Sequence, residues 1–211
     1  MKLDNLPPEV VELIRRDLQK KQEVREAVLN ATAAGDEAAF RRALIKAGEQ
    51  AMLGLAIKAM SRYSGAVPAE IKQTFLRMWI EDSNDLRSDS LHDLVTLEAL
   101  RRFLPPYEGR PLTLYRGDSF FNRCRRTYGM SWSASLEVAE GFAGGVWRTY
   151  SGGSVVLRAE VPLRAIIAKV PVADDKYCEE EYLVDRRHLG PVFVVYRLTQ
   201  ISMEAHAEAQ G

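Results

Sequence analysis

Apolar and polar positions follow two different periods in the two parts of this chain. Up to about residue 104, apolar side chains recur every three to four residues, which is the spacing of amphipathic helices. Beyond about residue 110 they alternate with polar residues over short runs, which is the spacing of strands. Helices that come first and strands that come later are typical of an α+β protein with a mostly antiparallel sheet.

Four helices are predicted in the first part, each delimited by a proline, a capping residue or a glycine. They cover about residues 8–29, 36–64, 68–82 and 90–104. Asp36 is the expected N-cap of the second helix, and Ser90 to Asp93 has the spacing of a capping box before the fourth. His92 is then a surface residue of a first helical turn, not a catalytic base.

Six strands and one helix are predicted in the second part. The strands cover residues 112–116, 130–133, 152–161, 165–170, 181–185 and 191–198, and the helix covers residues 137–143. The glycines at 144–145 end this helix, so residues 144–153 are expected to form a flexible loop between the helix and the third strand.

The net charge does not favour binding to nucleic acid or to an anionic membrane, because 29 basic and 29 acidic residues leave a formal net charge of +0. The charge is nevertheless uneven along the second part. Three arginines cluster at Arg123, Arg125 and Arg126. The acids follow later, at Asp174, Asp175, Glu179, Glu180, Glu181 and Asp185. If the two segments meet in the fold, they form a charged cleft.

The sequence lacks the signatures of several classes of protein. Two cysteines and three scattered histidines give neither a disulfide framework nor zinc-ligand spacing, which predicts a reduced, metal-free protein. There is no Gly-x-Ser-x-Gly elbow of a serine hydrolase. The first residues lack the apolar core of a signal peptide, and no apolar run reaches about 18 residues. We therefore expect a cytoplasmic protein without membrane contacts; delivery by a specialised secretion system is equally compatible.

Three consecutive carboxylates enter the fifth strand. Alternation along a strand places Glu179 and Glu181 on one face and Glu180 on the other. Two acids about 7 Å apart repel each other, and solvent, a nearby cation or a functional site that raises one pKa can relieve the repulsion. The pair is therefore either a solvated strand end or part of a site.

Two further segments accompany the carboxylates. Leu114, Tyr115, Arg116 and Gly117 end an apolar run with an arginine, and Ser131-Trp132-Ser133 leads into the helix of residues 137–143. Together the three segments resemble the arginine–serine–glutamate class of mono-ADP-ribosyltransferases, the cholera-toxin-like bacterial and phage toxins. Arg116 closes the first strand as that family's arginine does. The serines match its Ser-Thr-Ser strand, and residues 179–181 match its Glu-x-Glu element.

The resemblance spans residues 111–198, and one position departs from the family pattern. Trp132 replaces the usual threonine, and its side chain should face away from the cleft if both serines face it. The fold that the resemblance implies is a split pair of antiparallel sheets with an NAD cleft between them, within a domain of residues 66–205 (helices 68–104, strands 111–198). Residues 1–65 would be an additional N-terminal helical region.

The resemblance also implies a set of site residues. The catalytic residues would be Glu181, Glu179, Arg116 and Ser131. Those that bind NAD, a substrate here, would be Tyr115, Arg116, Gly117, Ser131, Trp132, Ser133, Phe142, Trp147 and Arg148. Tyr177 and Glu179 would bind the acceptor. Each has a purely structural alternative: Arg116 can pair with an acid inside the sheet, Ser131 can lack a function, and Phe142 and Trp147 can belong to the core.

The expected activity is transfer of ADP-ribose from NAD to a macromolecular acceptor by a toxin or effector. In the family, glutamate at the position of Glu179 accompanies arginine acceptors, so protein arginine is favoured over nucleic acid. A poisonous enzyme of this kind would need an antitoxin or immunity protein as a partner. The alternatives are an NAD glycohydrolase, a nucleic-acid ADP-ribosyltransferase, or an inactive interaction module with the same fold.

Overall fold

The chain has an α+β fold made of two compact units, Met1–Pro105 and Pro106–Gly211. The computed structural model describes residues 6–88, 93–171 and 180–202, and only the backbone of residues 82–88 and 93. Ser90 and His92 therefore lie outside the described residues. No helix among the described residues is long and apolar enough to cross a membrane.

The first unit is helical. Its helices are α1 (Pro8–Ala34), α2 (Glu37–Glu49), α3 (Leu53–Ser61), α4 (Ala69–Ser88) and α5 (Asp93–Phe103). Gly35 ends α1 in the left-handed conformation, and the Asp36 side chain accepts a hydrogen bond of 2.8 Å from the Ala39 amide, so the predicted N-cap of α2 is confirmed. Three buried rings from α2, α4 and α5 meet in its core: Phe40 stacks on Phe103 at 5.9 Å, and Phe75 meets both rings edge-on.

The sequence prediction differs from this unit in two respects. The single helix expected over residues 36–64 is two helices, because Ala51 has a φ of 53° and turns the chain between them. Gly48 and Gly54 lie on either side of this turn, and the Ala51 amide donates to the Gly48 carbonyl oxygen at 2.9 Å, so the local sequence held a signal for the turn that the apolar periodicity did not reveal. The two compact units also divide at residue 105 and not near residue 65, since α4 and α5 pack their aromatic residues against α2.

The second unit contains a six-stranded antiparallel sheet. Its strands are β1 (Leu112–Ser119), β2 (Ser131–Ser133), β3 (Ser154–Val161), β4 (Ile166–Val170), β5 (Glu181–Val184) and β6 (Val192–Leu198), in the order β4-β5-β2-β1-β3-β6. Two helices accompany the sheet, α6 (Phe120–Arg125) and α7 (Leu136–Gly144). All six predicted strands and the helix that became α7 are present, whereas the short α6 was not predicted.

The expected split pair of sheets is a single sheet with one narrow junction. β1 pairs with β3 continuously from Leu112↔Val161 to Ser119↔Ser154. Between β1 and β2 the only register pair is Tyr115↔Ser133. The sheet therefore consists of two three-stranded halves, and this junction brings the arginine strand β1 next to the serine strand β2.

The two faces of the sheet carry different side chains. On one face, Ala139 and Ala143 of α7 pack against Val156, with Tyr115 and Tyr196 beside them; we call it the α7 face. The other carries Leu114, Trp132, Val155, Leu157 and Tyr182, and we call it the Trp132 face. Burial, and then the hydrogen bond to the Glu140 carboxylate on α7, raise the pKa of Tyr196 above its ordinary value. That phenol therefore stays neutral and links α7 to β6.

Gly117 allows α7 to lie directly on β1. A Cβ at this position would overlap the Ala139 carbonyl oxygen and the Ala143 nitrogen, which belong to the helix backbone and cannot move aside. We expect Gly117→Ala to lower the free energy of unfolding by about 1–3 kcal/mol, as overpacking does. Urea denaturation measures this change.

Gly141→Ala is the matched control for that substitution. Gly141 lies on the exposed side of α7, and an added Cβ would meet nothing within 4 Å. Alanine should therefore stabilise the helix by about 0.5–1 kcal/mol. Equal effects of the two substitutions would show that α7 does not rest on Gly117.

Candidate functional site

A row of polar side chains crosses three strands on the α7 face. Ser133 lies directly opposite Tyr115 on β1 and directly opposite Glu181 on β5. Directly opposed residues of antiparallel strands share a face, with their Cβ atoms about 4.5–5.5 Å apart. Ser131, two residues before Ser133, is on the same face and diagonal to Glu181, at about 7–8 Å. The Ser131 Oγ has no hydrogen-bond partner among the described residues, so it does not bond to the Glu181 carboxylate in this structure.

Ser131 stands out within this row because its hydroxyl has no partner in the part of the chain that the structure describes. The Oγ atom is buried, and no described group hydrogen-bonds to it. Ser133 is engaged locally, since its Oγ accepts a 3.0 Å hydrogen bond from the Ser135 amide. Ser135 in turn caps α7 by accepting from the Val138 amide at 3.3 Å. A buried hydroxyl without a partner costs free energy, which distinguishes Ser131 from Ser133 within the row.

The carboxylates of β5 differ in exposure. Glu181 is half-buried at the start of the strand, whereas Glu180 is exposed and its carbonyl oxygen accepts a hydrogen bond of 3.2 Å from the Ala134 amide. The other members expected here, Glu179 and the aromatic residue Tyr177, lie outside the described residues. The structure therefore brings together Tyr115, Ser131, Ser133 and Glu181 from the predicted set.

Arg116 reaches the same region from the opposite side of β1. Tyr115 and Arg116 are consecutive in a strand whose register to β3 is unbroken, so their side chains point to opposite faces. The Arg116 Nε donates to Asp118 Oδ2 at 2.6 Å, and a terminal nitrogen donates to the Ser131 carbonyl oxygen at 2.6 Å. Of the two roles left open by the sequence, pairing with an acid inside the sheet is the one that these contacts describe.

Asp118 is the residue that the sequence analysis missed. Its side chain is fully buried and accepts from Arg116, from the Ser119 amide at 2.8 Å and from the Asn122 side chain at 2.7 Å. The available signal was the spacing Arg-x-Asp, which places both side chains on one face of a strand. Gly129 completes the arrangement, because a Cβ there would overlap the Arg116 guanidinium. Asp118 thus fixes Arg116, and Arg116 fixes the β2 backbone at Ser131.

Two residues of the predicted NAD-binding set have structural positions instead. Trp132 is 2% exposed, packs edge-on against Tyr128 and donates from its ring nitrogen to the Gly129 carbonyl. It points away from the serines because strand alternation places it on the Trp132 face. Gly117 is covered by α7 and offers no open backbone to a ligand.

The segment after α7, expected as a flexible loop, is a short 3-10 helix at Val146–Thr149 joined to the chain after β6. The Arg148 side chain donates to the Thr199 carbonyl at 3.3 Å, and the Arg148 carbonyl accepts from the Ile201 amide at 3.1 Å. Trp147 lies 5.2 Å from the Tyr150 ring. Phe142 is 51% exposed on α7, so it does not belong to the core.

Two described members of the charged segments that were expected to form a cleft, Asp185 and Arg123, pair with other groups. Asp185 is fully buried and binds Arg187 through both oxygens, at 2.9 and 2.7 Å. Arg123 donates to the Tyr128 hydroxyl and to the Val192 carbonyl. Residues 174, 175 and 179 lie outside the described residues. Within residues 6–88, 93–171 and 180–202, no group of three or more His, Cys, Asp and Glu side chains could hold a metal ion.

Comparison with known proteins adds no further constraint on the site. No protein-family model, no curated protein and no solved structure matches this chain. The function must therefore be inferred from its own residues and geometry.

Proposed function

We propose that the protein is a mono-ADP-ribosyltransferase that moves ADP-ribose from NAD to a macromolecular acceptor, most favourably a protein arginine, as a toxin or effector. The observation that carries the proposal is the buried Oγ of Ser131, which has no partner among residues 6–88, 93–171 and 180–202 and is diagonal to Glu181 on one face of the sheet. This arrangement fits the serine and glutamate of the family that the sequence resembles.

The residues of the row suit the chemistry of this reaction. Cleavage of the bond between ribose and nicotinamide develops positive charge on the ribose, and a nearby carboxylate stabilises that charge. Glu181 would supply the carboxylate. The Ser131 hydroxyl would orient the ribose and the carboxylate, a positioning contribution that needs no nucleophilic attack. Tyr115, half-buried beside Ser133, would contact the nucleotide from β1.

In this proposal Arg116 does not contact NAD; it holds the backbone of β2 in place at Ser131. Its contacts with Asp118 and with the Ser131 carbonyl hold β2 against β1 at the junction of the two sheet halves. A direct grip on the pyrophosphate would require the guanidinium to leave a buried carboxylate, which costs several kcal/mol. We therefore assign Arg116 the role of positioning Ser131. Phe142, exposed on α7, remains suited to stack on a ring of NAD, and Tyr177 and Glu179 are proposed to meet the acceptor.

The direct test is incubation of the full chain with NAD labelled in the nicotinamide and, separately, in the adenylate part. We expect release of nicotinamide, transfer of the adenylate label to protein in a lysate, and a rise in Tm with NAD, because a ligand that binds the native state stabilises it. Release without transfer would indicate an NAD glycohydrolase, and label in nucleic acid would indicate a nucleic-acid acceptor. Absence of both release and thermal shift would leave an inactive module.

Ser131→Ala separates a binding hydroxyl from a structural one. Since no described group pairs with the Ser131 Oγ, its removal should leave the free energy of unfolding within about 0.5 kcal/mol of wild type or raise it. The same substitution should weaken the effect of NAD on Tm and lower kcat/KM by tenfold or more, about 1.4 kcal/mol.

Ser133→Ala provides the opposite pattern. It removes the hydrogen bond that the Ser133 Oγ accepts from the Ser135 amide before α7, so the free energy of unfolding should fall by about 1 kcal/mol. The effect of NAD on Tm and the value of kcat/KM should change less than in Ser131→Ala. A destabilised Ser131→Ala variant with unchanged kcat/KM would contradict the assignment of Ser131.

A further inference from the structure

Part of the second unit carries arginines whose described contacts are all with neutral groups. The stretch from Phe120 to Tyr128 contains three arginines and no acid, and Arg197 of β6 reaches the same place. We call this region the α6 arginine surface. Its members are Phe120, Phe121, Arg123, Arg125, Arg126 and Arg197.

The outer members of this surface are an exposed cation and an exposed ring. The Arg125 guanidinium lies 4.1 Å from the centre of the Phe121 ring, and Phe121 is 45% exposed although phenylalanine is usually buried. Arg126 follows α6 with a φ of 55°, and its side chain is also exposed. Neither arginine forms an ion pair with an acid of the described chain.

The inner members, Arg197 and Arg123, are held in place by neutral groups, which do not neutralise the positive charge of the guanidinium. Arg197 lies 3.4 Å above the Phe120 ring and donates to the Gly152 carbonyl. Arg123 donates to the Tyr128 hydroxyl at 3.2 Å and to the Val192 carbonyl at 3.3 Å. Carbonyl and hydroxyl groups orient a guanidinium without neutralising it, in contrast to the buried carboxylate that pairs with Arg116.

The α6 arginine surface and the Ser131–Glu181 row belong to opposite faces of the sheet. Arg197 is opposite Val155, and Val155 is part of the Trp132 face. Ser133 and Glu181 are on the α7 face. A ligand bound at α6 would therefore leave the row uncovered, and its binding can be measured separately from any reaction at the row.

We propose that the α6 arginine surface binds single-stranded nucleic acid. Arginines without carboxylate partners attract phosphates, and an exposed ring with a stacked guanidinium offers a platform for an unstacked base. Single strands are favoured over duplexes because only unpaired bases expose their faces to Phe121. This inference is independent of the proposed transferase activity.

The test measures binding of fluorescent oligo(U) and oligo(dT) to the full chain by anisotropy at several salt concentrations. We expect Arg125→Ala/Arg126→Ala to bind at least tenfold more weakly and to lower the slope of log K against log salt by about 1.4, since each phosphate contact with a single strand contributes about 0.7. Phe121→Ala should weaken binding about tenfold and leave the slope unchanged, as loss of base stacking does. Arg15→Ala/Arg25→Ala, which removes two exposed arginines from α1, is the matched control and should bind like wild type.

The following outcomes would overturn the proposal. No binding by wild type at low salt, or an equal loss in the α1 control, would mean that α6 is not a binding surface. Displacement by heparin together with unchanged affinity of Phe121→Ala would indicate a surface for an acidic protein. Far-UV circular dichroism and Tm show whether the variants are folded. NAD hydrolysis by Arg125→Ala/Arg126→Ala should equal that of wild type, so failure of this inference is distinguishable from failure of the proposed function.

Discussion

Glu181→Gln is expected to abolish both release of nicotinamide from NAD and transfer of ADP-ribose. Glutamine keeps the size of the side chain and one acceptor oxygen but removes the negative charge that, in the proposed function, would face the developing positive charge on the ribose. Losses for such electrostatic contacts are about 10²–10³-fold in kcat, or about 2.7–4 kcal/mol. Steady-state rates of nicotinamide release, with and without an acceptor, measure the effect.

Glu180→Gln is the internal control for this substitution. Glu180 precedes Glu181 directly, lies just before β5 and is exposed, so its neutralisation removes the same charge from the same segment. We expect its activity to remain within about twofold of wild type, as for a surface change outside the site. Equal losses in the two variants, or full activity of Glu181→Gln, would remove the carboxylate from the mechanism.

Asp118→Asn is expected to destabilise the second unit and to weaken the site together. Three donors converge on the buried Asp118 carboxylate, whereas an asparagine can accept through only one atom and turns an NH₂ group toward a donor. Removal of one charge of a buried pair costs about 3–5 kcal/mol, so the free energy of unfolding should fall by that order in urea titrations. Arg116 would lose its orientation, and the effect of NAD on Tm should fall in the protein that remains folded.

Asp36→Asn is the matched control, because Asp36 is an exposed N-cap and asparagine caps helices equally well. This variant should keep the stability of wild type.

A double-mutant cycle of Asp118→Asn with Arg116→Met measures the interaction between these two side chains. We expect a coupling energy of about 1–3 kcal/mol between Asp118 and Arg116, the range for residues in direct contact. Additive effects would show that the two side chains act separately and that Asp118 does not position Arg116.

The sequence alone does not distinguish between the two roles of Arg116. The residue type and its place at the end of an apolar run fit both a nucleotide contact and an internal ion pair. The partner that decides between them, Asp118, is only two residues away, but its burial depends on α6 and β3 covering the strand end. Since β3 is distant in sequence, the local pattern left both roles open.

Local periodicity by itself determined the α+β class, the positions of the six strands, the helix α7 and the cap at Asp36, because these depend on side-chain spacing and on hydrogen bonds within a few residues. Alternation also determined that Ser131 and Ser133 share a face and that Trp132 does not. Tertiary structure alone decided the strand order, the single Tyr115↔Ser133 junction and the division of the chain at residue 105. It also decided that the Ser131 hydroxyl is buried and unpaired by any described residue. These features arise from contacts between residues far apart in the chain, and a single sequence contains no spacing that records them.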